Sequence, residues 1–463
     1  MEQGNDVQLP LVEPVSECRV SGTRRQQSMV TDASWTLAGN VFYAVCTMGC
    51  MVLISKLSPD DSRGRYVFAT ATIAPIIAFA ALGLRQMLAT DVRYEHRFSD
   101  YLFLRLISVF VVMIVVASIA WTQPYAAALV LVVIGMAKSL ESISDILFGR
   151  MQQFWQFDRI AQSQIIKGVA TLACLAIGLF LTRDALGAAI GLGIGFFLSL
   201  LMWDVPLARK AARLAQATAQ IASTSNTGAG VFFDSPARLG QFLRHAAPLA
   251  FATTLVAVNL NMPVYFLRVF YHEQGEALIG IYGALNYLPT AGAVLVTAIG
   301  VAASTRLATL YSRAQMRAFY SLVGRLVAVC AAIGVAAVVV ALIAGKIVIT
   351  VLFKKEDAAH WDVLAWLMVS GSLIYVGSIL GYAVTATRKF HRFVIPYLAV
   401  TLVGAVASIL LISGHDVATS AGRDAALTGA AWASCALSGA TCLASTFILI
   451  VTSARKPEAK GLE

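Results

Sequence analysis

The sequence predicts an all-α, polytopic membrane protein of about twelve spans, divided six and six. Three observations predict it. Of 463 residues, 58% are hydrophobic and 13% are charged, about half the charged share of an ordinary soluble domain. The apolar residues gather into runs long enough to cross a bilayer, which takes about 20 residues each. The basic residues are also sorted by side. With the N-terminus placed in the cytoplasm, 25 of the 35 Lys and Arg fall on the inner side and 9 on the outer, leaving Lys138 inside a span. This is the positive-inside pattern, and it places both termini in the cytoplasm. The net charge of +10 is thereby assigned to topology, not to nucleic acid.

Residues 1–33 are polar, carry Arg19, Arg24 and Arg25, and read as a cytoplasmic tail. No apolar stretch precedes Trp35, so the first span itself is expected to direct insertion. Spans of an N-terminal six-helix bundle, 34–204, are expected near 34–55, 66–84, 102–122, 124–148, 160–182 and 186–204. The segment 205–244 reads as a cytoplasmic amphipathic linker. Its LARKAARLAQATAQIA has helical periodicity with a basic face, and STSNTGAG is a break. Asp234-Ser235-Pro236 then opens a helix expected along the inner surface. A C-terminal six-helix bundle, 245–452, has spans near 245–267, 278–302, 322–344, 362–386, 393–413 and 427–452, and a cytoplasmic tail, 453–463, follows. The halves echo each other. The second span of the first opens Gly64-Arg65-Tyr66 and contains Pro75, and its counterpart opens Gly280-Ile281-Tyr282 and contains Pro289. Parallel repeats of this kind are common in transporters, where two bundles rock about a central site.

The fourth span carries the most chemistry. Lys138, Glu141 and Asp145 are three, four and seven residues apart, which places them on one helical face. Lys138 lies about 16 Å from the inner end at Gly149, counted at about 1.5 Å per residue. Charges at that depth face a partner or a water-filled interior. Two readings stand. Lys138 and Glu141 neutralise each other and fix packing, or the face lines a cavity that binds an anionic headgroup or takes up a proton. In the seventh span Asn259, Asn261 and Pro263 precede Arg268, and in the eighth Asn286, Tyr287 and Pro289 occur together. Asn40 holds a similar place in the first span. Buried amides join helices or meet polar ligands, and Pro75, Pro263 and Pro289 are expected to bend their helices. Arg85 and Arg306 end the second and eighth spans and are expected at the inner mouth. The seven cysteines have no metal-ligand spacing with histidine, so neither a metal nor a cofactor is expected.

The GLRQMLATD ending of the second span, with the DYLFLRL that opens the third, resembles bacterial polysaccharide exporters of the O-antigen flippase type. So does KSLESISDILFGRMQQFWQFDRIAQSQIIKG across the fourth and fifth spans. These exporters belong to the multidrug/oligosaccharidyl-lipid/polysaccharide exporter (MOP) superfamily. The resemblance implies two six-helix bundles around a central cavity in the bacterial inner membrane. It implies a flippase, not an enzyme, that carries undecaprenyl-pyrophosphate-linked sugar units from the inner to the outer leaflet by alternating access. The implied partners are the lipid-linked oligosaccharide, membrane lipids, a coupling proton or sodium ion and a polysaccharide polymerase complex. On this reading Lys138 and the mouth arginines suit the diphosphate, and the amides and tyrosines suit the sugars.

Other readings are less well matched. A drug or cation exporter of the same fold favours acids and aromatics at mid-membrane, whereas this span carries a lysine. A polysaccharide polymerase or ligase usually has a large outer loop with catalytic residues, and every outer loop expected here is short.

Overall fold

The computed structural model describes residues 22–90, 98–154, 156–210, 236–387 and 394–454. The tails 1–21 and 455–463, Asp91 and most of the expected linker, including its STSNTGAG break, lie outside them. Among the described residues the elements are helical, without strands. The first half comprises α1 (Gly22–Leu57), α2 (Asp60–Ala80), the short α3 (Leu84–Thr90), α4 (Phe98–Ala120), α5 (Tyr125–Gln153), α6 (Phe157–Thr182) and α7 (Ala185–Ser199), which runs into a π-helical turn at Leu200–Asp204. The second half comprises α8 (Pro236–Tyr271), α9 (Glu276–Ser312), α10 (Met316–Leu352), α11 (Trp361–Thr385), α12 (Val394–Ile412) and α13 (Ser420–Ala454), with 3-10 turns at His272–Gly275 and Glu356–His360.

Local chemistry sets the boundaries. Pro59 and Pro124 stand in extended backbone just before α2 and α5, where a missing N–H costs nothing. Asp184 caps α7, its carboxylate accepting from the Leu186 amide at 3.2 Å. Gly83, at φ 63°, makes the turn into α3, and Gly414, at φ 85°, follows α12; both use a conformation that costs glycine little.

Ten helical stretches among the described residues are long and apolar enough to cross a membrane, and one of them, Ala250–Ser312, holds both α8 and α9. Counting these as two leaves α2 as the twelfth expected span. It opens with Asp60, Asp61, Arg63 and Arg65, charges that dilute its apolarity. The two-lobed, all-helical membrane fold expected from the sequence is therefore present.

Three expectations are corrected in detail. The second span stops at Ala80, and Gly83 to Thr90 form the end of a turn and the separate helix α3. The helix opened by Pro236 is continuous with the seventh span as α8, with no separate surface segment. Helix α1 begins at Gly22, ahead of the first expected span. The left-handed backbone at Leu82 and Gly83 ends the second span early, whereas in the other two cases a continuous helix keeps the backbone hydrogen bonds inside one element, as a lipid environment requires.

The outer faces are apolar and exposed, as at Phe110, Ile343, Ile347, Leu402 and Leu410, and suit lipid as solvent. The first half has its own core around Ile54, Ile73, Val116, Leu131, Ile134 and Leu179. A second core crosses between the halves. In it Met51, Val67 and Ala71 pack with Leu267, Leu285 and Leu364. This shared core and the polar contacts around it join the two lobes at the end where α1 turns into α2.

Candidate functional site

The face expected on α5 exists, and it lies in a charged interior built by the first half alone. Lys138 Nζ donates to Glu141 Oε2 at 2.8 Å, one turn along the helix. The other oxygen of Glu141 accepts from the Tyr43 hydroxyl of α1 at 2.6 Å. The ammonium of Lys138 also stands 5.6 Å from the centre of the Phe196 ring on α7. One turn beyond Glu141, Asp145 receives two arginines. Arg85 of α3 donates at 2.8 Å, and Arg105 of α4 lies 3.6 Å away. Arg105 is buried and donates to Ser142 at 3.1 Å as well.

Behind this face lies a second pair. Lys167 of α6 is 3.8 Å from Asp204 and 4.3 Å from the centre of the Phe148 ring. Asp204 is fully buried and accepts from the Ser163 hydroxyl. It sits in the π-helical turn after α7, where the irregular winding carries one side chain inward. Such turns are frequent at functional positions.

The network thus holds four cations, Arg85, Arg105, Lys138 and Lys167, against three carboxylates, Glu141, Asp145 and Asp204. Full neutralisation inside a membrane would favour equal numbers. The surplus is one positive charge. Access is graded too. Side chains of Lys138, Glu141, Arg85 and Asp145 are 27–35% exposed, whereas Lys167 and Asp204 are at most 3% exposed. Chemically, the accessible members offer lysine and arginine donors to an anion that can exchange with a carboxylate partner. The buried pair fixes their frame.

The other expected residues are placed elsewhere. Asn40 is half-buried on α1. Tyr287 of α9 is half-buried and packs on the core shared across the junction of the halves. Asn286 is half-buried, and its carbonyl accepts from Thr290. Asn261 donates to the Ala257 carbonyl of its own helix at 2.8 Å, and the amide of Asn259 is 95% buried with no hydrogen-bond partner. Arg268 lies at the α1–α2 end and pairs with Glu276 at 3.0 Å and with Gln123 at 3.3 Å. It borders a groove of about 730 Å³ with Gln123, His272 and Gln274. Arg306 is exposed on the far part of α9. Pro75, Pro263 and Pro289 all lie inside continuous helices. The carbonyl of Pro289 accepts from the Tyr375 hydroxyl at 2.8 Å.

Arg85 therefore joins the α5 face, while Arg306, Arg268 and the second-half amides do not. Sequence reasoning missed Tyr43, Arg105, Lys167 and Asp204. The one signal available was a charge within an apolar run. That signal was present at Lys167, but Arg105 and Asp204 fall close enough to span ends to read as interfacial.

Comparison with known proteins follows this geometry. No family model matches the chain. An inward-facing MATE-family multidrug resistance transporter of the MOP superfamily superposes with a TM-score of 0.65 at 12% identity, over 92% of this chain and 100% of that one. The fold is that of the MOP superfamily. A MOP-superfamily transporter from Pyrococcus furiosus, described as having a binding pocket of reversed polarity, has a TM-score of 0.63 at 14% identity, over 93% of this chain and 95% of its own. In sequence, the chain is 22% identical over 363 residues to the capsular polysaccharide biosynthesis protein CapF of Staphylococcus aureus, spanning 78% of this chain and 87% of that protein. The fold bears out the expected architecture, and the sequence match adds the link to polysaccharide biosynthesis, so together they support the resemblance to polysaccharide exporters.

Proposed function

We propose that the protein is a flippase for lipid-linked oligosaccharides. It carries an undecaprenyl-pyrophosphate-linked sugar unit from the inner to the outer leaflet by alternating access, for capsular or other surface polysaccharide. The observation that carries this reading is the half-accessible face on which Lys138 and Arg85 stand, within a network whose buried Arg105 leaves one positive charge in surplus. A diphosphate is a multivalent anion, and it can displace Glu141 from Lys138 and share Arg85 with Asp145. Desolvating the headgroup is costly, and fixed cations that are already partly dehydrated offset that cost. The sugars meet hydroxyl and amide groups such as Tyr43, Asn40 and Tyr287, and the polyprenyl tail stays in lipid.

The lobes touch at the α1–α2 end and the α5 face is accessible, so this conformation is read as open to the cytoplasm. The charge bias places the α1–α2 end outside and both termini inside the bacterial inner membrane. Reporter fusions at Gly275 and Ala359 should then report the outer side, and fusions at Ser223 and after Arg455 the inner side. The function is tested by surface accessibility of the lipid-linked sugar in cells, normalised to protein level. Lys138→Ala should abolish translocation, and Lys138→Arg should retain part of it. Full activity of Lys138→Ala combined with Glu141→Ala would reduce the pair to structure and remove the anion-binding reading. A coupling proton or sodium ion and a polymerase complex fit the same cycle. Selective loss of translocation when the proton or sodium gradient is collapsed would identify the ion.

A further inference from the structure

Two stretches that echo each other in sequence meet face to face at the α1–α2 end. Gly64 of α2 lies against the Glu276 backbone so closely that a methyl group there would overlap the Glu276 carbonyl. Reciprocally, a methyl group on Gly280 of α9 would come 2.9 Å from the Asp60 carbonyl. Each glycine thus meets the residue four positions before the other, as a two-fold relation between the halves requires. The acids at these places also pair across the junction, though with residues that are not counterparts of each other. Asp60 receives Lys354 at 2.7 Å, and Glu276 receives Arg65 at 3.5 Å.

Beneath these rim contacts lies a pair that water does not reach. Arg63 is fully buried and donates twice to Asp357, at 2.6 and 3.1 Å, and once to Ser55 at 2.7 Å, with the rim carboxylate of Asp60 3.3 Å away. Asp357 is itself 4% exposed, and it belongs to the second half, in the 3-10 turn before α11. Arg63 belongs to the first. The mutual attraction of such a pair is strong, but the cost of drying both ions nearly cancels it. When the lobes part, both ions regain water. The closed and open forms can therefore lie close in free energy, while either ion left alone in the closed form is heavily penalised.

We propose that Arg63 and Asp357 form a reversible latch between the lobes, seated by the Gly64–Gly280 contact, that holds the α1–α2 end shut until transport opens it. The proposal rests on the alternating-access reading. It assigns the decisive closing contact to one buried pair, with the Asp60–Lys354 and Arg65–Glu276 pairs contributing little, because Asp60 is 47% exposed and Arg65 22%.

The test is a distance measurement on the full chain in lipid nanodiscs. With the native cysteines replaced, spin labels are placed at Arg183→Cys, on the turn between α6 and α7, and at Ala418→Cys, on the turn between α12 and α13. Asp357→Asn should shift the open-to-closed ratio toward longer distances by about tenfold or more. Gly64→Ala, a steric wedge that leaves every charge in place, should shift it in the same direction. Lys354→Gln, which removes the rim pair but leaves Arg63 its partners, should leave it within about twofold. The double change Arg63→Met with Asp357→Leu should move the ratio the other way, because an apolar pair gains nothing from water when the lobes part. An unchanged distribution in monodisperse Asp357→Asn overturns the latch, as does opening by the double change equal to that of the single one. If Asp357→Asn fails to fold, Gly64→Ala and the double change carry the same decision. Widening without any translocation of lipid-linked sugar by the unaltered protein keeps the latch and removes the flippase reading. Translocation with no widening does the reverse.

Discussion

The two halves share one architecture and differ in what they bury. Inside the first half lie four cations and three carboxylates within reach of one another. Apart from Asp357 at the junction of the halves, the buried polar residues described in the second half are neutral. Tyr282 and Ser434 share a hydrogen bond at 2.7 Å, and Ser370 and Ser438 share one at 2.8 Å. The thiols of Cys435 and Cys442 donate to the carbonyls of Trp366 and Leu373 on the neighbouring α11. Hydroxyls and thiols hold helices together in a low-dielectric interior at small cost. Charges do not, so an excess of them in one half marks that half for work on an ion. The difference teaches that two lobes of similar build need not carry the same site.

The largest expected effect tests whether the charge in the first half is structurally committed. Lys167→Ala leaves Asp204 buried without its cation, which should cost about 3–5 kcal/mol. Thermal unfolding in detergent should show a large drop in Tm, and Lys167→Met with Asp204→Leu should recover most of it. A small loss from the single change would mean that water reaches Asp204 and that the frame is softer than its burial indicates.

Next comes Lys138→Ala. Its side chain is 32% exposed, so the stability cost should stay near 1 kcal/mol or less, while translocation is lost. Comparing Tm with transport separates this accessible pair from the Lys167–Asp204 frame. Equal effects on both would erase the distinction between a working face and a supporting one.

The spacing of Lys138, Glu141 and Asp145 was legible because three and four residues along a helix return to one face whatever surrounds it. Their partners were not. Arg85 lies 60 residues from Asp145 along the chain, and nothing local shows that the stretch read as a span end turns back as α3 to reach α5. Asp204 was hidden for a different reason. The π-helical turn rotates it inward, against the face that a regular 3.6-residue repeat would assign.

In the second half the effects should be smaller. Ser370→Ala combined with Ser438→Ala removes both ends of one hydrogen bond and should cost about 1 kcal/mol or less, without loss of transport. A greater loss would show that this half also depends on a polar contact. The smallest effect is expected at Asn259. Its buried amide has no partner, so Asn259→Leu should be neutral or slightly stabilising in thermal unfolding. Loss of transport from a stable Asn259→Leu protein would place this amide on the substrate path and break the contrast between the halves.

By itself, the sequence determined the solvent of this protein and the places of its apolar helices, because apolar runs of bilayer length are properties of the chain alone. It also carried the echo between Gly64-Arg65-Tyr66 and Gly280-Ile281-Tyr282, though not its meaning. Only the tertiary structure decided that these glycines face each other, that Arg63 reaches Asp357 some 294 residues away, and that Arg85 closes on Asp145. Helix formation in lipid is governed by the local demand of each backbone group for a hydrogen bond. The pairing of charges depends instead on which helices pack together, and a one-dimensional pattern holds no record of that choice.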